Sequence, residues 1–442
     1  MLLPVDLRDW VPEGDLVHFV IEAVEGMDLT RFRINHRGSG NEQYPPAMML
    51  SLLIYCYACG TFSSRRIESA TKRDVAVRYL TGDTHPDHDT IAVFRRQSFE
   101  AVAECFVRVL ELAKETGVLK VGTVSVDGTH LRANASKYKN VTYGRAGELV
   151  AQLQEEVKLL LQQAETADQK DESSGQQLPE ELRRRETLKA KMEAARKRLE
   201  DRARVRAEGE RAEFDRKMKE REERKSGRKG KSPQPPDPQP GPQERDNLVD
   251  TDSRLMRKNK RSSYEQCYNA QAVVDAEGSQ LVLAARVSQC ASDRNELAED
   301  VQAVPEGAGS VVKLVADSGY ACEAQVQRLE KQNLEVYVST GAECRHLRRK
   351  HDFRPEDRRI ESAKEPKAEW LVKMKAKLES KAGRAVYALR KKTVEPTFGI
   401  IKHAMGFRQF LLRGLAKVDG EWNLVVLAYN FKRLWALQPA PA

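Results

Sequence analysis

Aromatic side chains are scarce, at 6 per cent of 442 residues, while charged ones make up 32 per cent. Part of the chain must therefore be solvated helix or linker rather than packed core. Long hydrophobic runs are also missing. The longest, AMMLSLLIYCYA from Ala47 to Ala58, has twelve residues, well short of the roughly 20 that a bilayer span requires. It reads as a buried helix, and no membrane partner is expected. Cysteine is confined to seven scattered positions, an odd number that argues against a disulfide framework. Cys56 and Cys59 form a C-x-x-C, but inside the apolar helix and with no second pair at zinc-site spacing, so core packing is the expectation. The opening MLLPVDLRDW has neither a charged n-region nor a small-residue cleavage site, which points to a cytoplasmic protein.

Positive charge is what the chain has in excess. Its 75 Lys and Arg stand against 66 Asp and Glu, a net charge of +9, and this balance favours a polyanionic partner. The length allows two or three domains. Residues 1–118 read as a helical domain. One helix follows Pro12 and runs through LVHFVIEAV, a second starts at Pro45-Pro46, and a third covers Ser63–Leu80. A fourth, TIAVFRR, is capped by Asp89. Short capped helices rich in arginine suit a DNA-binding bundle of helix-turn-helix type. Ser63, Ser64, Arg65, Arg66, Lys72 and Arg73 would offer phosphate contacts, and Arg95 and Arg96 are further candidates. The run His85, Asp87, His88, Asp89 has metal-ligand residue types, but its proline and its place before a helix favour a turn.

Residues 119–143 carry a strand, VGTVSVDGTHLRA, with Asp127 in its middle. A carboxylate among apolar neighbours is costly to bury without a partner or a cation, which makes Asp127 a site candidate. From 144 to 246 the fold is interrupted by a Glu-, Lys-, Arg- and Gln-rich block. Leu149, Leu153, Leu159 and Leu160 predict a helical hairpin at first and a solvated helix after it. The run from Lys225 to Gln243 predicts a flexible, partly polyproline linker. Residues 247–442 resume with EQCYNAQAVVD and SQLVLAARVSQ, a helix capped by Asp293, the strand VVKLVAD ending in Asp317, a further helix and the strand LEVYV. The fold class is thus α/β: a mixed sheet in the order three strands, helix, strand, helix, strand, helix.

The third carboxylate lies in YALRKKTVEPTFGIIK. Thr393 as N-cap, Pro396 in the first turn and Gly406 as terminator predict a helix over 394–405, with Glu395 at its start and Lys402 two turns further along the same face. Asp127, Asp317 and Glu395 form an all-oxygen set suited to Mg²⁺ or Mn²⁺, and two such ions would support in-line attack on a phosphodiester. Asp275 competes with Asp317 because it too ends a strand. Its Ala-Glu-Gly continuation reads as a hairpin turn, and Asp317 is preferred.

SVDGTHLRANASK, LVADSGY and the spacing Y-x-x-R-x-x-x-x-E-x-x-x-x-x-x-K resemble the catalytic motifs of DDE transposases of bacterial insertion sequences. The signature after Asp317 resembles the IS4-like superfamily. GFRQFLLRGLAKVDGEWNLVVLAYNFKRL, YPPAMMLSLLIYCYACG and PDHDTIAVFRR are similar to its IS-eleven-eighty-two-type branch. The resemblance implies a ribonuclease H-like catalytic domain, metal ligands at Asp127, Asp317 and Glu395, and contacts from Tyr387, Arg390 and Lys402 to the cleaved end. The family's spacing has three residues between Arg and Glu. Here Arg390 is separated from Glu395 by four and Lys391 by three, so both stay candidates. The insertion has no Trp to hold a flipped base, and a hairpin intermediate is not assumed. The implied partners are terminal inverted repeats, target DNA and a second copy of the chain, since two ends must be held together. A DNA nuclease without strand transfer and a non-catalytic DNA-binding protein are the alternatives. The presence of all three carboxylates favours the transposase.

Overall fold

The computed structural model describes residues 6–34, 43–170, 178–223, 232–258, 261–341, 366 and 368–438. The chain divides into two compact units. One takes in the described residues of Met1–Asn134, Met256–Ser263 and Cys267–Ala442, the other those of Ala135–Leu255 and Tyr264–Gln266. Among the described residues no helix is long and apolar enough to cross a membrane.

The larger unit is mixed α/β. Its first helices are α1 (Leu16–Glu25), α2 (Pro46–Ala58), α3 (Ser64–Arg73), α4 (Val75–Leu80), α5 (His88–Gln97) and α6 (Phe99–Glu115). Sequence reasoning expected one helix over 63–80. The backbone instead turns extended at Asp74 (φ −97°, ψ 123°), and its carboxylate accepts the Val77 N–H at 3.2 Å to start α4. The helix α5 likewise begins two residues earlier than expected. Its cap is Asp87, which accepts the Thr90 N–H at 2.7 Å, and not Asp89. Within α2 Cys56 is buried as expected, whereas Cys59 is exposed at the helix end.

Five strands of the six-stranded sheet are β1 (Thr123–Arg132), β2 (Glu265–Asp275), β3 (Val282–Ser288), β4 (Lys313–Ala316) and β5 (Glu335–Val338), with α9 (Leu297–Gln302) and α10 (Glu323–Glu330) between its later strands. β2 pairs antiparallel with both β1 and β3, while β4 pairs parallel with both β1 and β5. These five strands therefore lie in the order β3-β2-β1-β4-β5. Almost every residue of β2 is buried, as befits a strand covered on both faces.

The sheet is followed by α11 (Glu369–Glu379), α12 (Lys381–Ala388) and α13 (Val394–Gly399), and the long helix α14 (Leu415–Leu437) packs against α2, α6 and β3. It is buried on all sides along its middle, where Trp422, Leu424, Val425, Val426, Leu427 and Phe431 have almost no exposure. An element apolar all round belongs in the centre of a structure. Its polar side chains are spent on the sheet. Asn430 accepts the Val282 N–H and donates to the Val282 carbonyl, each at 2.9 Å, and Trp422 donates its indole N–H to Gln271 O at 2.9 Å.

Glu421, fully buried on α14, accepts the Leu411 and Leu412 N–H groups at 3.0 Å. Burial pushes its pKa from 4.5 up to about 7, against the opposing pull of those N–H groups and Arg95. A carboxyl whose pKa rises on folding favours the protonated form in the folded state. Its contribution is therefore complete below pH 4.5 and lost as pH rises to about 7. Comparing thermal unfolding of wild type and Glu421→Gln should show wild type losing a few degrees relative to the variant across that window. A constant difference would mean that Glu421 does not titrate there.

The smaller unit is a helical hairpin of α7 (Tyr143–Lys170) and α8 (Leu178–Glu223). Val141, Ala146, Val150, Met192 and Ala195 form its core, with Leu149 and Leu248 against it. Beside them Asp246, wholly buried, pairs with Arg198 at 2.7 Å and also with Arg202. The hairpin arises as the early leucines suggest, and Leu159 further along is exposed. The proline-rich run behaves differently from a free linker over its described part. Pro235, Pro236 and Pro238 share a groove with Ala207, Arg211 and Phe214 of α8, and Glu244 pairs with Arg206 at 2.9 Å. Residues 225–231 of that run lie outside the described residues.

Candidate active site

Asp127 is the fifth residue of β1, and its neighbour on β4 extends to Asp317, because Val126 pairs with Ala316 in parallel register. Each carboxylate is oriented by its own local turn. Asp127 Oδ1 accepts the Gly128 N–H at 2.9 Å, and Asp317 Oδ1 accepts the Gly319 N–H at 2.7 Å. Glu395 comes from α13 (Val394–Gly399), in its first turn. The competing strand-end residue, Asp275, is fully buried and committed to its hairpin, where it accepts from Glu277 N, Ser279 N and Ser279 Oγ.

The three carboxylates converge on one guanidinium. Arg390 Nη2 lies 3.2 Å from Asp127 Oδ2 and 3.7 Å from Asp317 Oδ2, and Nη1 donates to Glu395 Oε1 at 3.0 Å. Burial disfavours the arginine charge, but Asp127 and Asp317 more than offset it and hold its pKa above the usual value. Asp127 moves the other way. Burial, helped by the charges of Asp317 and Asp293, pushes its pKa up to about 7 against the pull of Arg390 and the Gly128 N–H. More negative charge is gathered here than one arginine balances.

The helix predicted over 394–405 is not a single α-helix. After Gly399 it widens to a π-turn at Ile400–Ala404, with the Met405 N–H reaching back to Ile400 O at 2.9 Å, and Gly406 (φ +81°) ends it. Thr393 does not cap with its side chain, because its hydroxyl is committed to Leu389 O at 2.9 Å in the preceding turn. The expected two-turn alignment of Glu395 and Lys402 is thereby altered, since π-geometry changes the angular step per residue. Lys402 is half-buried and donates to Thr129 Oγ1, two residues beyond Asp127 on the same face of β1. Burial and then Lys258 lower its pKa. Tyr387 is half-buried, Arg390 is buried and Lys391 is exposed.

On α3, Ile67 and Thr71 face the core while Arg65, Arg66, Lys72 and Arg73 are exposed, with Lys72 also 3.4 Å from Glu68. Arg96 is exposed on α5. Arg95 departs from the expected phosphate-contacting role. It is buried and donates to Tyr57 Oη at 2.9 Å and Phe62 O at 3.1 Å, since its position faces α2 rather than solvent.

Sequence reasoning overlooked a group of polar residues beside the carboxylates. Asp293 was expected to cap a helix, but it lies inside a 3₁₀ turn, Asp293–Asn295, that Ser292 caps by accepting the Arg294 N–H, and Glu296 stands at the start of α9. The Asp293 carboxylate turns instead to Asn269 and Gln271 of β2. The available signal was the alternation of two carboxamides in the otherwise apolar CYNAQAVV, which places both on one face of a buried strand.

Among the described residues, no group of three His, Cys, Asp or Glu side chains is gathered closely enough to hold a metal as it stands. Arg390 is interposed between the three carboxylates. Their donor chemistry nevertheless fits a hard divalent ion, being all oxygen and already converging on a cation.

Residues 320–435 match the family model described as Transposase DDE domain, and residues 5–97 match the Transposase domain (DUF772). The chain belongs to the DDE transposases. The first match includes Glu395, Arg390 and Lys402 of this transposase and begins three residues after Asp317. No curated protein and no solved structure was found to match the transposase chain.

Proposed function

We propose that this transposase binds the terminal inverted repeats of a DNA insertion sequence, cleaves the DNA strands there and joins them to target DNA. The observation that carries the reading is the convergence of Asp127, Asp317 and Glu395, from two strands and a helix, on one cationic group. The strand order β3-β2-β1-β4-β5 supports a ribonuclease H-like catalytic domain, and the sequence signature around Asp317 supports the IS4-like superfamily.

Asp127, Asp317 and Glu395 would hold Mg²⁺ or Mn²⁺, with two ions as in other phosphodiester chemistry. Such ions supply positive charge to the attacking and departing oxygens of an in-line displacement. The chain's own groups bind and orient the DNA. Tyr387 orients the terminal nucleotide, Lys402 and either Arg390 or Lys391 neutralise phosphates near the cut, and the exposed Arg65, Arg66, Lys72, Arg73 and Arg96 hold the repeat's backbone. The protein acts in the cytoplasm as at least a dimer once two ends are bound.

The test is Mg²⁺-dependent cleavage of a duplex carrying the terminal repeat. Asp317→Asn should lose on the order of a thousandfold in rate with DNA binding retained, whereas Asp275→Asn should still cut when folded. Cleavage by Asp317→Asn at the wild-type rate would remove Asp317 from the site. Labelled 3′-ends that never become joined to a target plasmid would make the protein a nuclease.

A further inference from the structure

The residue just beyond the three carboxylates is Asp293, and its surroundings are built to hold it. Oδ1 accepts from Asn269 Nδ2 and from Gln271 Nε2, each at 2.7 Å. Both carboxamides are buried in β2, where polar groups are costly unless they are fully engaged. Gln271 is fixed from its other end, since its Oε1 accepts from the buried Tyr320 hydroxyl, three residues after Asp317. Asn269 also donates to Cys290 O at 3.1 Å. This leaves its Oδ1 buried with no hydrogen-bond partner, 3.0 Å from where a Gly128 Cβ would stand.

Two glycines make the room. A Cβ on Gly128 would stand 2.5 Å from Asp293 Oδ1 and nearer still to Gln271 Nε2. At Gly319 the corresponding point lies 2.9 Å from Asp317 Oδ1 and 3.4 Å from Asp293 Oδ2. The second oxygen of Asp293 therefore borders the same small space as Asp317, and among the described residues no hydrogen bond to it is formed. Four carboxylates then surround a region in which, among the described residues, the buried guanidinium is that of Arg390.

We propose that Asp293 is a positioning residue for the cation site, its free oxygen orienting the water shell of a divalent ion held at Asp127 and Asp317. The inference rests on the metal-dependent reading above. A carboxylate outside the ligand set acts by accepting hydrogen bonds from bound water, and loss of such partners typically costs 10–100-fold in metal affinity. Asn269 and Gln271 fix the carboxylate in place, so that order in the water shell is imposed by β2 and not by a mobile side chain.

The experiment is Mn²⁺ binding to the full chain, followed by the electron paramagnetic resonance of free Mn²⁺, together with thermal unfolding in the absence of metal. Asp293→Asn keeps the shape and an acceptor for Asn269 and Gln271. It should bind Mn²⁺ about tenfold more weakly with no loss of metal-free stability, and Asp293→Ser should show the same weakening. Wild-type affinity in both variants, with binding lost in Asp317→Asn, overturns the role of Asp293 alone. Reduced thermal stability with unchanged Mn²⁺ affinity overturns it as well, making Asp293 structural only. If wild type and Asp317→Asn bind Mn²⁺ equally, the metal reading fails and this inference fails with it.

Discussion

Arg390→Gln should leave the metal-free protein less stable near neutral pH, yet better able to take up Mn²⁺. The guanidinium contacts Asp127, Asp317 and Glu395, so its removal takes the counter-ion from Asp317 and Glu395 and lets the Asp127 carboxyl, already pushed up to about 7, take up a proton. Removing one partner of a buried ion pair costs about 3–5 kcal/mol. Because Glu395 is half exposed and Asp317 about a third exposed, roughly 2–3 kcal/mol is the expectation after solvent screening. For a protein of this size that is a fall in Tm of about 2–4 °C. A divalent ion no longer has to displace the arginine, so Mn²⁺ should restore the lost stability and bind more tightly than in wild type. Equal Tm and equal Mn²⁺ affinity in the two proteins would show that the guanidinium neither supports nor obstructs the carboxylates. Lys391→Gln is the companion variant. Lys391 is exposed and in contact with none of the three carboxylates among the described residues, so its loss should touch end-DNA affinity alone.

Gly128→Ala is the second substitution with a large expected effect. One methyl group would press on Asp293 Oδ1 and Gln271 Nε2, and neither can move away freely. Gln271 is held by Tyr320, and Asp293 is held by two carboxamides. Overpacking of this kind costs roughly 1–3 kcal/mol. A displacement approaching 1 Å beside Asp127 would lower the cleavage rate about a hundredfold. Gly14→Ala, which has nothing within 4 Å of the added carbon, is the control for handling and expression. Unaltered cleavage by a folded Gly128→Ala would mean that the network beneath Asp127 tolerates a shift.

What could be read from the sequence follows the range of the interactions involved. The apolar run of α2, the strand around Asp127 and the apolar strand leading to Asp317 each announce themselves within a dozen residues. The mixed α/β class follows from their order. Arg390 illustrates the limit. Its pairing with Asp127 spans 263 positions, and no local pattern distinguishes an arginine that will meet a phosphate from one that will meet three carboxylates. Arg95 was misread for the same reason. An arginine near a helix end reads as solvated, until Tyr57 and the Phe62 carbonyl supply it with buried partners. The break at Asp74 and the widened turn after Gly399 are local, but each depends on packing as well as propensity. Helix-forming residues continue through both.

The placement of α14 bears on how this protein is made. That helix follows every other described element in the chain, yet it is buried among α2, α6 and β3. Asn430 completes β3, and Lys432 donates to Ala58 O at the end of α2, 374 positions earlier. On the ribosome, at about 5–20 residues per second, the nascent N-terminal helices must therefore wait some tens of seconds for their central support. The α7–α8 hairpin, whose contacts are local, can form meanwhile. Ribosomes that stall or terminate before Leu415 would release chains with exposed apolar helices, substrates for chaperones and proteases rather than partly active fragments.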